Sequence, residues 1–295
     1  MKAAAFEYSR PGDVDEACAL LAAEDGARVI AGGQTLVPLM AMRLSRPTRL
    51  VDIGRIAELS FVRDEGASVA IGATTRQCAV ERDPLIAGRV PLLARVMPSV
   101  GHAAIRARGT IGGSLANADP AAEIPLVAVA LDATLIYREG GQSTEIAATD
   151  FFLGPMITAL PAAACLTEVR FPIWQEDAIG VGFHEVNARR SDFAFVSAAA
   201  QIALDEAGLC RRLALAIGAV TDFPIRLTPA EQALVGTRIE EPVAREAVRA
   251  ALADIEPSSD LHASAEYRRR VAARLALRAL TDAREAAMRR NTHVH

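Results

Sequence analysis

Two segments with adjacent glycines, about eighty residues apart, constrain this chain more than any other feature. The first is Ala31-Gly32-Gly33-Gln34-Thr35, running on into Leu36. The second is Thr110-Ile111-Gly112-Gly113-Ser114, continuing through Leu115-Ala116-Asn117-Ala118-Asp119-Pro120. Each joins an apolar run to a helix-like segment. Paired glycines let backbone N–H groups face an anion with no Cβ in the way. Two such loops suit a ligand with two phosphates, and a dinucleotide gripped by its pyrophosphate is the natural candidate. Thr35, Thr110 and Ser114 add short hydroxyls, and Arg106 and Arg108 bring cations close to the second loop. Asn117 and Asp119 follow at a spacing that reaches the ribose or sugar-alcohol part of a cofactor. A carboxylate accepts ribose hydroxyls well. The competing reading of Asp119 is a cap on the segment that Pro120 opens. Neither loop has the G-x-G-x-x-G pattern or the P-loop lysine, so neither a doubly wound nicotinamide fold nor a P-loop is supported.

Composition narrows the partners. The chain has 295 residues, 51% of them hydrophobic, which excludes a disordered chain and allows more than one domain. A net charge of -4 and 4% aromatics argue against nucleic acid. Helical spacing spreads the local cations at Tyr267-Arg268-Arg269-Arg270 into a solvated face. Cys18, Cys78, Cys165 and Cys210 are scattered, with no metal-ligand spacing. No apolar run reaches the roughly 18 residues of a membrane span, and no signal-peptide pattern opens the chain. The expectation is a cytoplasmic protein that reaches a membrane only through a partner.

The first fifty residues or so read β-α-β-α-β, with Asp13 capping the first helix. Further expectations are a helix capped by Thr74, one helix over Leu85–Met97, a helix from Glu123 and a hairpin around Glu139-Gly140-Gly141. A strand follows over Leu166–Phe171. The texture changes after Pro172. Three strands then lead to three helices, an α+β layer. Thr228-Pro229-Ala230-Glu231 carries a capping-box signal, and the last helix, from Ser264, is expected to end near Thr281. The expected domains are 1–175, in subdomains of about 1–54 and 55–175, then 178–285 and a frayed tail over 286–295.

The run Ile105-Arg106-Ala107-Arg108-Gly109-Thr110-Ile111-Gly112-Gly113-Ser114-Leu115-Ala116-Asn117-Ala118-Asp119-Pro120-Ala121-Ala122-Glu123 resembles the FAD-binding medium subunit of the molybdenum hydroxylases. That is the family of carbon monoxide, nicotine and bacterial xanthine dehydrogenases. Ala31-Gly32-Gly33-Gln34-Thr35-Leu36-Val37-Pro38-Leu39 resembles its other signature. The resemblance extends over nearly the whole chain. It implies an α+β architecture: a two-subdomain FAD-binding fold of the vanillyl-alcohol-oxidase (PCMH) type, then a C-terminal α+β domain with a three-stranded antiparallel sheet and helices. It implies that Ala31, Gly32, Gly33, Gln34, Thr35 and Leu36, with Thr110, Ile111, Gly112, Gly113 and Ser114, wrap the FAD diphosphate. It further implies cofactor contacts at Asn117 and Asp119, with Leu166 at the cofactor's border. Glu185 stands where relatives often have a lysine, and Phe193 matches an aromatic that lies near the flavin ring in the family. A buried core position is the competing reading for Phe193.

The resemblance implies a division of labour. A large subunit holds the molybdenum cofactor and hydroxylates the substrate. A small subunit holds [2Fe–2S] clusters. This chain carries FAD and passes electrons to an external acceptor, within a dimer of heterotrimers, with no catalytic residue or metal of its own. Two other readings stay open here, a self-contained FAD-dependent oxidase and a non-catalytic flavin-binding scaffold.

Overall fold

A computed structural model describes residues 2–291. The N-terminal unit is β1 (Glu7–Ser9), α1 (Val14–Ala22), β2 (Arg28–Ile30), α2 (Leu36–Ala41) and β3 (Arg49–Asp52). Its strands form a parallel sheet in the order β1-β3-β2. Asp13 caps α1 by accepting the Glu16 N–H at 2.8 Å. Val14, Ala17, Cys18 and Leu21 are buried, so the helical spacing seen in the sequence becomes the packed face. The β2–α2 connection carries the first glycine pair to one end of this sheet.

The next stretch builds a five-stranded antiparallel sheet around a helical layer. β4 (Val62–Asp64) and β5 (Ser68–Gly72) come first. Then follow α3 (Gln77–Val80), α4 (Pro84–Arg89), α5 (Pro91–Val96), α6 (Ala103–Arg106), α7 (Ile111–Asn117) and α8 (Glu123–Ala130). β6 (Thr134–Glu139), β7 (Gln142–Ala147), α9 (Ala148–Phe151), β8 (Phe152–Gly154), β9 (Ile157–Thr158) and β10 (Cys165–Pro172) complete it, with sheet order β4-β5-β10-β6-β7. Two expectations need correction. The helix expected over 85–97 is split, because Pro91 has no N–H to continue α4 and opens α5 in its place. Thr74 caps nothing: α3 starts three residues later, with Arg76 at its N-cap.

The last stretch adds β11 (Ala178–Asn187), β12 (Ala194–Leu204), β13 (Cys210–Gly218) and β14 (Ile225–Arg226) in an antiparallel sheet in that order. The expected three strands are present, and the two-residue β14 adds a fourth. β12 is buried on both faces. Ala199 and Ala203 pack with α8 and α5, while Ala198, Ala200 and Ile202 pack with the helices behind. That explains its near-continuous apolar sequence. One core therefore runs from the five-stranded sheet through α8 into the C-terminal sheet.

α10 (Thr228–Leu234), α11 (Glu241–Ala251) and α12 (Ala265–Asn291) cover the far face. The capping box at α10 does not form. Leu227 is the N-cap, and Glu231 turns inward to accept the Leu215 N–H at 2.7 Å and bind Arg226 at 2.8 Å. α12 does not stop near Thr281, nor does the chain fray from 286. Ala283 and Ala287 are fully buried, and a Cβ on Gly180 of β11 would collide with the Ala283 carbonyl, so packing holds the helix through Asn291. The rest of the expected tail, 292–295, lies outside the described residues.

Candidate functional site

The first glycine pair sits between β2 and α2. A Cβ on Gly32 would lie 2.5 Å from the Arg108 carbonyl oxygen and 2.9 Å from the Gly109 Cα. Gly32 is therefore the point where the first loop touches the lead-in to the second. Gly33 has a φ of +71°, a region that side chains disfavour. The backbone N–H groups of Gly32, Gly33, Gln34 and Thr35 donate to no acceptor among the described residues. Thr35 heads α2 without spending its hydroxyl on a cap, and Gln34 folds back to donate to the Gly32 carbonyl at 3.1 Å. Four neighbouring amides with free hydrogens form an anion cradle.

The second pair is built differently from the expected loop. Gly112 and Gly113 already lie in the first turn of α7, and the amides there are engaged. Ile111 N donates to Thr75 O at 3.1 Å and Gly112 N to Ala73 O at 2.9 Å. Gly113 N donates to the Thr110 hydroxyl at 3.0 Å, and Ser114 N to Thr110 O at 3.2 Å. A Cβ on Gly112 would lie 2.5 Å from that of Ala73, so this glycine serves close packing of α7 on the end of β5. From the second motif, Thr110, Gly112, Gly113, Ser114, Ala116, Asn117, Asp119 and Pro120 line the cleft.

Between the two motifs lies a cleft of about 1260 Å³. That exceeds the several hundred Å³ of ordinary small-molecule pockets. Ala31, Gly32, Gly33, Gln34, Thr35, Leu36, Thr110, Gly112, Gly113, Ser114, Asn117, Asp119, Leu166 and Phe193 all line it. Ile111 does not, because its side chain is fully buried in the core. Glu185 does not line it either. Its carboxylate sits inside the fold, taking a 3.2 Å hydrogen bond from Asn187. Phe193 is 65% exposed, so it is a cleft residue and not a core one. Arg106 is spent: it forks onto Glu81 at 2.8 and 3.0 Å and onto the carbonyls of Val100 and Gly101. Arg108 does not line the cleft.

Asp119 accepts the Ala121 N–H at 2.9 Å, so it does cap the segment opened by Pro120 while also lining the cleft. Burial raises its pKa. Burial, with the charges of Glu185 and Asp119 beyond it, pushes Glu123 up to about 8. Burial lifts Glu185 to about 7. Glu123 lines the cleft and is protonated at neutral pH, so it offers a hydrogen-bond donor without repelling an anion. It was visible in the sequence only as the last residue of the long motif. A second wall was not legible at all. His262 stacks on Phe195, with centroids 5.7 Å apart and planes 12° from parallel, and both rings face the cleft.

Residues 4–174 match the family described as the FAD binding domain in molybdopterin dehydrogenase, and residues 182–283 match the CO dehydrogenase flavoprotein C-terminal domain. The chain belongs to the FAD-binding medium subunits of the molybdenum hydroxylases. This medium subunit is 35% identical to the 6-hydroxypseudooxynicotine dehydrogenase complex subunit alpha of Paenarthrobacter nicotinovorans, over 96% of each chain. It is 33% identical to the carbon monoxide dehydrogenase medium chain of Afipia carboxidovorans, over 95% of this chain and 96% of that one. Its fold superposes on quinoline 2-oxidoreductase from Pseudomonas putida 86 with a TM-score of 0.92 and 36% identity, covering 98% of this chain and all of that one. Membership makes the medium subunit an FAD-binding component of a multi-subunit oxidoreductase. The residues present fit that cofactor: a cleft large enough for a dinucleotide, a free amide cradle, and a glycine at the point where the two motifs touch.

Proposed function

We propose that this chain is the flavoprotein electron-transfer subunit of a molybdenum-containing hydroxylase or dehydrogenase. It stands between the [2Fe–2S] clusters of a small partner subunit and an external acceptor. The substrate is hydroxylated on a large partner that holds the molybdenum cofactor. One observation carries the reading: the first loop, whose four amides donate to no acceptor among the described residues, lines a cleft that the second glycine motif also lines, with Gly32 at the point where they touch. When bound, FAD supplies the redox chemistry that links one-electron donors to two-electron acceptors.

The chain's own residues bind and orient. The amides of Gly32 to Thr35 take the diphosphate, with the Thr35 and Ser114 hydroxyls beside it. Asn117, Asp119 and protonated Glu123 meet the sugar-alcohol part. Leu166 and Phe193 give the ring system apolar surface. No residue here needs to move a proton for electrons to pass. Among the described residues no group of three or more His, Cys, Asp or Glu side chains could hold a metal ion. No helix among the described residues is long and apolar enough to cross a membrane. Cytoplasmic assembly as a dimer of heterotrimers belongs to the same proposal.

Co-purification of the tagged chain with its partners, followed by flavin, iron and molybdenum analysis, tests it. The expected complex holds all three, with FAD lost when this chain is left out. A chain that purifies alone and turns over substrate with oxygen would point to a self-contained oxidase.

A further inference from the structure

Arg268 lies in the first turn of α12, and its side chain is 6% exposed. A guanidinium that far from water is costly unless its donors are matched. Here three chain segments match the two terminal nitrogens, while the buried Nε–H has no partner among the described residues. Nη1 donates to the Phe195 carbonyl of β12 at 2.8 Å and to the Ala219 carbonyl just after β13. Nη2 donates to the Asp260 carboxylate at 2.6 Å. The other Asp260 oxygen accepts the N–H groups of His262 at 2.8 Å and Ala263 at 2.9 Å. Ala219 in turn donates its N–H to the Pro120 carbonyl at 2.8 Å, one residue past Asp119. Ala219 holds a φ of 59°, uncommon for a residue with a Cβ. Arg268 thus stands at the centre of a chain of bonds. It runs from the second glycine motif through Ala219 to the loop that carries His262 against Phe195.

We infer that Arg268 is a positioning residue: it locks the Ser258–Ala263 loop and the Phe195–His262 ring pair into the cleft wall opposite the glycine motifs. The inference rests on the cofactor reading above for what the wall serves, but the lock itself is a property of the chain. Arginine suits the task because its planar fork reaches acceptors on several segments at once, which a lysine ammonium on a single stem does not. An arginine that served only the start of α12 would need one partner and would have no reason to bind the end of β13.

Two conservative variants test this in the full chain. Arg268→Lys keeps the charge and loses the fork. Asp260→Asn keeps the shape and loses the ion pair. Hydrogen exchange on the flavin-free protein reads the lock directly. Amides 258–264 should exchange at least about tenfold faster in both variants, the size expected for losing a charge-assisted hydrogen bond. FAD titration and the visible circular dichroism of bound flavin then read its purpose. Affinity should fall by about tenfold or more, in line with the same loss, and the flavin signal should change. Exchange at 258–264 equal to wild type in both variants overturns the lock. Faster exchange with unchanged FAD affinity and flavin signal overturns its positioning role. A wild-type chain that binds no FAD sinks the cofactor reading, while the exchange result still decides whether the lock exists.

Discussion

Gly32 and Gly88 show how one substitution takes opposite signs at two glycines. A Cβ on Gly32 meets backbone, the Arg108 carbonyl, which cannot swing aside. A Cβ on Gly88, inside α4, meets nothing within 4 Å. Gly88→Ala should stabilise the chain by about 0.5–1 kcal/mol, through helix propensity and a less flexible unfolded chain. Gly32→Ala should destabilise it by about 1–3 kcal/mol, as overpacking does. Urea unfolding of both variants checks the pair, and equal shifts would refute the contact at Gly32. Glu123 makes a pH prediction. Its folded pKa of about 8 lies above the ordinary 4.5, so the folded chain binds this proton more tightly than the unfolded one. Stability from this group is therefore lost as pH rises from about 4.5 to about 8, on the order of a kcal/mol per unit, and the loss levels off above that. Glu123→Gln removes the titration and should flatten that fall. Parallel pH profiles for variant and wild type would show that Glu123 is not buried as described.

At the scale of elements, helices and strands were legible where local periodicity governs and illegible where tertiary contacts do. α1 could be read from Asp13 and four apolar positions because its cap and buried face are both local. The start of α10 could be read too, but not its cap, because the buried donors of β13 and Arg226 outcompete the helix start for Glu231. The end of α12 was missed because its buried alanines look weakly apolar until a glycine-bearing strand lies against them. The second glycine motif lines the cleft, yet its amides are engaged within the fold. Sequence alone does not reveal that carbonyls of the turn between β5 and α3, together with Thr110, take up its amides. Glu231→Ala tests the α10 account. It strips the Leu215 N–H and leaves Arg226 with only Asp132, so it should cost about 3 kcal/mol, at the low end for breaking a buried pair. A loss below about 1 kcal/mol in urea unfolding, typical of an exposed pair, would contradict it.

Over the whole molecule, the cleft forms where three bodies of structure meet: the parallel sheet, α7 of the middle stretch and the C-terminal sheet. The first two contribute the glycine motifs, which the sequence displays. The third contributes Phe195, His262 and the Arg268 hub from segments up to 73 residues apart, which only the fold assembles. One core runs from the middle stretch into the C-terminal sheet, while the parallel sheet packs α1 over a smaller core of its own. The account stands on FAD lying between the two glycine motifs. Its most direct test is equilibrium titration of the flavin-free full chain with FAD, wild type beside Gly32→Ala, with circular dichroism confirming that both are folded. Wild type should saturate with one FAD per chain, and the variant should bind at least about tenfold more weakly, the factor that a 1.4 kcal/mol loss of loop fit produces. Equal affinity in the two folded proteins would contradict the account.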